Sequence, residues 1–264
     1  MNRLTTGLGI AFVWLIILAT QSFVLLWLVF TTIGVVALHE YFNMCLEQKE
    51  IKIKPVAIVI GCIPFIAALS KQPDVVFASF FISLFASALL LFTIYQDLDN
   101  GFLLLAKLCC GIAFISLGAA HLPLLMAPPH GVAWLTILTI ITIASDTGAY
   151  YAGSTFGKNK LCPAISPNKT VEGLLGGMAA SLVLAVLVGA FLLPWVSIIK
   201  MASATILVSL IGVGGDLIES IIKRSCRVKD SGSILPGHGG VFDRIDSLLT
   251  AAPAMYYLIY FHVI

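Results

Sequence analysis

Charge is what this sequence has least of. Only 11% of its 264 residues are Asp, Glu, Lys or Arg, against 59% hydrophobic, whereas soluble domains carry about 25% charged residues. That shortage excludes an ordinary soluble fold. A net charge of +2 gives no whole-molecule attraction to nucleic acid, so no nucleic-acid partner is expected. The six cysteines (Cys45, Cys62, Cys109, Cys110, Cys162 and Cys226) contain no C-x-x-C pair and no framework spacing. They read as small, reduced, buried hydrophobes. No A-x-A-like cleavage site follows Arg3 and its apolar run, and a second run starts almost at once. The N-terminus therefore reads as a first membrane helix rather than a signal peptide. Internal repeats and low-complexity tracts are lacking too.

What is there in quantity is apolar chain. Runs fall near 5–20, 22–39, 55–70, 75–94, 102–120, 132–150, 173–193, 197–217 and 247–263. A membrane-spanning helix needs roughly 20 mostly apolar residues, so the expected fold is an all-α polytopic integral membrane protein with about nine transmembrane helices. With the N-terminus in the cytoplasm, thirteen of the fifteen Lys and Arg fall on one side of the membrane, and only Lys71 and Lys200 on the other. Basic residues favour the cytoplasmic side. Both long polar segments, 151–172 and 218–246, are therefore expected there.

Against this apolar background the acids stand out. "TIASDTGAYYAG" puts Asp146 near the cytoplasmic end of the sixth run. "VGGDLIESIIKR" puts Asp216 and Glu219 at the end of the eighth, and the spacing of Asp216, Glu219 and Ser220 places all three on one helical face. Asp243 and Asp246 repeat the three-residue spacing before the ninth run. Carboxylates at a helix C-terminus meet the negative end of the macrodipole, and in a low dielectric they need cations. Lys223, four residues after Glu219, offers one. A divalent metal would offer more, and oxygen ligands suit Mg²⁺; a salt-bridge network that closes the helix ends is the other reading.

Glycine shifts the balance. Gly232, Gly237, Gly239 and Gly240, with Pro236, make a loop that cannot be helical and lets backbone N–H groups approach a ligand. Lys223, Arg224, Arg227, Lys229 and Arg244 add positive charge beside it. Carboxylates, basic side chains and glycine backbone together suit a metal–polyphosphate complex. His238 could donate to a phosphate or serve a structural hydrogen bond. A second candidate, Gly153-x-x-x-Gly157-Lys158-Asn159, is not a P-loop: it is one residue short, has Asn after Lys, and follows no strand. Lys158, Lys160 and Lys169 could meet phosphate or anionic headgroups.

These residues resemble a known family. Ser220-x-x-Lys223-Arg224-x₄-Lys229-Asp230-x-Gly232-x₂-Leu235-Pro236-x-His238-Gly239-Gly240-x-x-Asp243-Arg244-x-Asp246 is similar to the full signature of the phosphatidate cytidylyltransferases, also called CDP-diacylglycerol synthases. Upstream, Asp146-x-Gly148-Ala149-Tyr150, Phe156-Gly157-Lys158 and Ser166-Pro167-x-Lys169-Thr170-x-Glu172-Gly173 resemble the family as well. Ser154 departs from it, since Arg or Lys usually stands there. The motifs cover the C-terminal half; the N-terminal half resembles the family only as membrane helices.

The resemblance implies transfer of CMP from CTP to phosphatidic acid, giving CDP-diacylglycerol and pyrophosphate for phospholipid synthesis. It implies Mg²⁺ as cofactor, with K⁺ as a second cation, membrane lipids as surroundings, and a homodimer. It implies a bacterial inner membrane location with the site on the cytoplasmic face. Residues 1–130 would be N-terminal transmembrane helices, and 131–264 a catalytic region with cytoplasmic loops 151–172 and 218–246. Asp216, Asp243 and Asp246 are the expected metal ligands, with Asp146 and Glu219 as outer candidates. Ser220 and Lys223, with Asp243 and Asp246, form the expected catalytic set. Lys169, Arg224, Lys229, His238, Gly239, Gly240 and Arg244 would bind substrate phosphates. A CTP-dependent polyprenol or dolichol kinase is a neighbouring reading, separated by release of CDP instead of pyrophosphate. A transporter is the reading from another class, but its acids would lie near the midplane in repeated halves.

Overall fold

A computed structural model describes residues 3–234 and 239–264. Helix α1 covers Arg3–Ala19, α2 Phe23–Cys45, α3 Lys54–Gly61, α4 Ile63–Ala67, α5 Pro73–Ile94, α6 Gly101–Gly111, α7 Leu117–Leu124, α8 Gly131–Phe156, α9 Val171–Leu192, α10 Ile198–Ser225 and α11 Phe242–Tyr260. Short 3-10 turns flank α3 and α4 to give one apolar run, Ile51–Ser70; a π-turn at Ile112–Ser116 joins α6 to α7 in another, Gly101–Leu124. Among the described residues, seven such runs are long and apolar enough to cross a membrane. Helix α1, at 17 residues, and α11, with Asp243, Arg244 and Asp246 in its first turns, are not among the seven. The expectation of nine spans rests on these two.

The chain divides into two compact units, Met1–Ala127 with Cys226–Ile245, and Pro128–Ser225 with Asp246–Ile264. In the first, aromatic side chains fill the core. Tyr41, Phe42, Phe65 and Phe242 are almost wholly buried, and Phe242 meets Tyr41 and Phe114 edge-on, at ring-centroid distances of 6.2 and 5.8 Å. Several polar atoms inside this core are paired, as burial away from water demands. Tyr41 Oη donates to the Lys107 carbonyl at 2.8 Å, and Trp27 Nε1 to the Phe65 carbonyl at 2.7 Å. Ser79, Ser83 and Ser87 recur every four residues along the buried face of α5. Their hydroxyls donate to backbone carbonyls, Ser83 reaching Ile60 of α3 at 3.1 Å.

In the second unit, α8 and α9 lie against each other through small residues. A Cβ on Gly177 would stand 2.5 Å from the Ser145 carbonyl oxygen, and one on Gly148 would stand 2.6 Å from Ala180 Cβ. Helices in lipid gain little from hydrophobic burial, so close backbone approach of this kind is what holds them together. Between α8 and α9 the chain forms an antiparallel hairpin, β1 (Lys160–Cys162) with β2 (Ser166–Thr170). Thr170 then caps α9, its hydroxyl accepting from Gly173 N at 3.0 Å. Helix α10 buries Thr205, Val208, Ser209, Gly212, Gly215 and Glu219 on one face, the three-and-four spacing of a packed helical stripe. Thr250 Oγ1 of α11 donates to the Ile211 carbonyl of α10 at 3.0 Å.

Two adjacent glycines of α10 differ sharply. A Cβ on Gly215 would stand 2.8 Å from the Asp246 carbonyl oxygen, while nothing lies within 4 Å of one on Gly214. Gly215 is thus the position at which α11 comes close enough to bring Asp246 beside α10. Gly215→Ala is expected to lower the thermal unfolding midpoint in detergent, overpacking costing about 1–3 kcal/mol. Gly214→Ala is expected to leave it unchanged or raise it, Ala being about 0.8–1.0 kcal/mol the better helix former.

Candidate active site

The buried stripe of α10 ends in the acids. Helix α10 continues to Ser225, so Asp216, Glu219, Ser220 and Lys223 all sit on regular helix, with the shared face that their spacing predicts. Asp246 joins them from α11. One carboxylate oxygen from each of Asp216, Glu219 and Asp246 lies within 4.8 Å of the others. Three carboxylates at this separation, with Glu219 fully buried, repel one another strongly unless cations lie nearby.

Two lysines supply part of that positive charge. Lys223 Nζ stands 2.5 Å from Glu219 Oε2, one turn along the same helix, and Lys169 Nζ reaches Asp216 Oδ2 at 2.5 Å from strand β2. Both contacts are largely shielded, the lysine side chains being 13% and 23% exposed. Screening by water is weak there, which strengthens each attraction. The three carboxylates outnumber the two ammonium groups. All three offer hard oxygen donors, the set that suits Mg²⁺ rather than a soft metal. On donor chemistry the residues fit a divalent cation.

Beside the cluster opens a cavity of about 300 Å³, near the lower end for small-molecule sites. Asp146 and Tyr150 of α8, Asn168 and Lys169 of the hairpin, and Asp216 of α10 line it. Asp146, Lys169 and Asp216, expected from separate motifs, therefore share one space. The chain entering the hairpin is braced. Glu172 accepts backbone N–H bonds from Lys158 at 3.1 Å and Asn159 at 3.2 Å, and the Asn159 amide at 2.7 Å. The backbone donors that a P-loop would aim at phosphate are thus taken by Glu172. Gly153 and Phe156 remain in helix α8, with Gly157 as its C-cap, which agrees with discarding that motif. Arg224 Nε donates to the Ile165 carbonyl at 3.4 Å, joining the end of α10 to the hairpin turn. Ser154, the departure from the family pattern, is exposed, and its hydroxyl donates to the Tyr151 carbonyl.

The glycine loop belongs to the other unit and has its own organisation. Asp243 accepts from Ser231 N at 3.0 Å and Gly240 N at 2.8 Å, so its carboxylate ties the two ends of the loop. Gly239 adopts φ +79, a left-handed conformation that a side chain would resist. Lys229 and Arg244 are exposed. His238 lies outside the described residues. Glu40 of α2 reaches this loop too, and it is not among the residues singled out from the sequence. A carboxylate at the end of an apolar run is the signal that points to it.

Clustered acids and lysines beside a small cavity define a candidate site for a phosphate-bearing substrate. The model of the cytidylyltransferase family matches residues 1–262. The phosphatidate cytidylyltransferase of Bacillus subtilis (strain 168) is 34% identical over 274 residues, covering 98% of this chain and 97% of the relative. That of Haemophilus influenzae (strain Rd) is 43% identical over 143 residues, covering 51% and 48%. That of Staphylococcus haemolyticus is 38% identical over 161 residues, covering 61% and 59%. The chain belongs to the cytidylyltransferase family.

Lys223→Met removes the ammonium from a carboxylate with no access to water. Breaking a buried pair from one side costs about 3–5 kcal/mol, so the thermal midpoint in detergent is expected to fall markedly. Lys49→Met, at a pair whose side chains are 72% and 75% exposed, is expected to leave it nearly unchanged.

Proposed function

We propose that this protein transfers CMP from CTP to phosphatidic acid, releasing pyrophosphate, at the cytoplasmic edge of a bacterial inner membrane. The observation that carries the reading is the convergence of Asp216, Glu219 and Asp246 beside Lys169 and Lys223, in a chain of this family. In the reaction a phosphate oxygen of the lipid attacks the α-phosphorus of CTP. A new P–O bond forms, the bond to the β-phosphate bridge breaks, and pyrophosphate leaves with that electron pair. The attacking phosphate is already ionised near neutral pH, so no general base is required. The work of the protein is to bring two anions together in line and to offset their charge.

Asp216, Glu219 and Asp246 would hold Mg²⁺, with Asp146 reaching the same space from α8 and Asp243 kept as a ligand candidate. Bound there, the cation supplies charge neutralisation for the reacting phosphates. Lys169 and Lys223 hold the cluster and offer ammonium groups to substrate phosphate, and Ser220 offers a hydroxyl. Arg224, Lys229, His238 and Arg244 provide further positive or hydrogen-bonding groups for the triphosphate, and Gly239 and Gly240 allow backbone approach. The positive-inside distribution of Lys and Arg supports the cytoplasmic face, where CTP is found. The apolar helix surfaces would face the lipid acyl chains.

The test uses protein purified in detergent with α-labelled CTP, phosphatidic acid and Mg²⁺. Labelled CDP-lipid and pyrophosphate are expected, with Asp246→Asn reducing the rate about 10²–10³-fold, the usual effect of losing one transition-state contact. Release of CDP would point to a kinase instead. No labelled lipid from folded protein with any acidic lipid would overturn the reading.

A further inference from the structure

Glu40 lies at the C-terminal part of α2, an otherwise apolar helix, and is 2% exposed. A carboxylate so placed is costly unless it is tightly bonded. All of its described bonds go to one segment of the chain. Glu40 Oε1 accepts from Val241 N at 3.1 Å, and Oε2 accepts from Phe242 N at 2.8 Å and from the Ser231 hydroxyl at 3.3 Å. Phe242 is the first residue of α11, so the carboxylate sits where the orphan N–H groups and the positive end of the helix dipole favour an anion.

The segment is shaped to admit this carboxylate. A Cβ on Gly232 would stand 2.5 Å from Glu40 Oε1, and one on Gly240 would stand 2.6 Å from Oε2. Two glycines of the signature are thus small because Glu40 occupies the space beside them. Ser231 is shared: its hydroxyl serves Glu40 and its backbone N–H serves Asp243. Gly240 N also serves Asp243. Glu40 and Asp243 together hold both ends of the loop, one from α2 and one from α11.

We propose that Glu40 is a positioning residue for the nucleotidyl transfer: it fixes the first turn of α11 and the glycine loop, and through them the presentation of Asp243 and Arg244. The inference rests on the function proposed above for the loop residues. Glutamine cannot replace it, because both oxygens accept and an amide offers only one acceptor. Its NH₂ group would face an N–H donor.

The test is Glu40→Gln in purified full-length protein. Two readouts separate positioning from a general loss of structure. Hydrogen exchange at the 239–245 amides is expected to speed up, while exchange across α8 and α9 stays as in the parent. The kcat/KM for CTP is expected to fall about 10–100-fold, the range for groups that orient metal ligands. Parent-like exchange at 239–245 together with parent-like kcat/KM would overturn the proposal. Should Glu40→Gln fail to fold, Gly232→Ala puts a methyl against Glu40 Oε1 and is expected to give the same local exchange and kinetic loss; parent behaviour there would equally overturn it. A parent protein without transfer activity refutes the function reading alone, since the exchange pattern still decides the role of Glu40.

Discussion

The second unit brings three carboxylates together, one of them, Glu219, out of contact with water. Asp216, Glu219 and Asp246 repel one another, and Glu219 has no solvent to relieve the charge. In a low dielectric that repulsion is strong, so the arrangement persists only if cations answer it. Lys169 and Lys223 answer part of it from two directions, one from the hairpin and one from α10 itself. The geometry around them follows from this need. Glu172 holds the chain where it enters the hairpin, Lys169 of β2 reaches Asp216, and Gly215 lacks a side chain where α11 brings Asp246 close. A site whose carboxylates outnumber its own lysines is suited to accept a cation along with an anionic substrate.

The glycine loop uses carboxylates differently. Glu40 and Asp243 act there as hydrogen-bond acceptors for backbone and hydroxyl donors. Such bonds to an ionised acceptor are roughly twice as strong as neutral ones. They fix Ser231 on one side of the loop and Gly240, Val241 and Phe242 on the other. Negative charge thus has two roles in this chain: at Asp216, Glu219 and Asp246 it is answered by lysines, and at Glu40 and Asp243 it orders backbone.

Much of this was legible in the sequence because it is local. The apolar runs mark the helices, although α8 and α10 continue to Phe156 and Ser225, past the ends of their runs at 150 and 217. The spacing of Asp216, Glu219 and Ser220 puts them on one face, and the step from Glu219 to Lys223 predicts the ion pair observed. The glycine-rich signature led to the family to which the chain belongs. What was not legible is pairing across long stretches of chain. Glu40 bonds Ser231 at a separation of 191 residues, and no periodicity connects them. The meeting of Asp146, Lys169 and Asp216 around one cavity depends on how α8, the hairpin and α10 pack. The small hairpin was hidden as well, because its short polar strands lack an alternating apolar pattern.

The reading of the site stands on Asp216, Glu219 and Asp246 together binding a cation. Electron paramagnetic resonance of Mn²⁺ titrated into purified protein tests it directly, since Mn²⁺ shares the oxygen preference of Mg²⁺. The parent protein is expected to deplete the signal of free aqueous Mn²⁺ with Mg²⁺ competing, and Asp216→Asn with Asp246→Asn to abolish the depletion while the protein stays folded. Equal Mn²⁺ binding by parent and variant, or none by the parent, would contradict it.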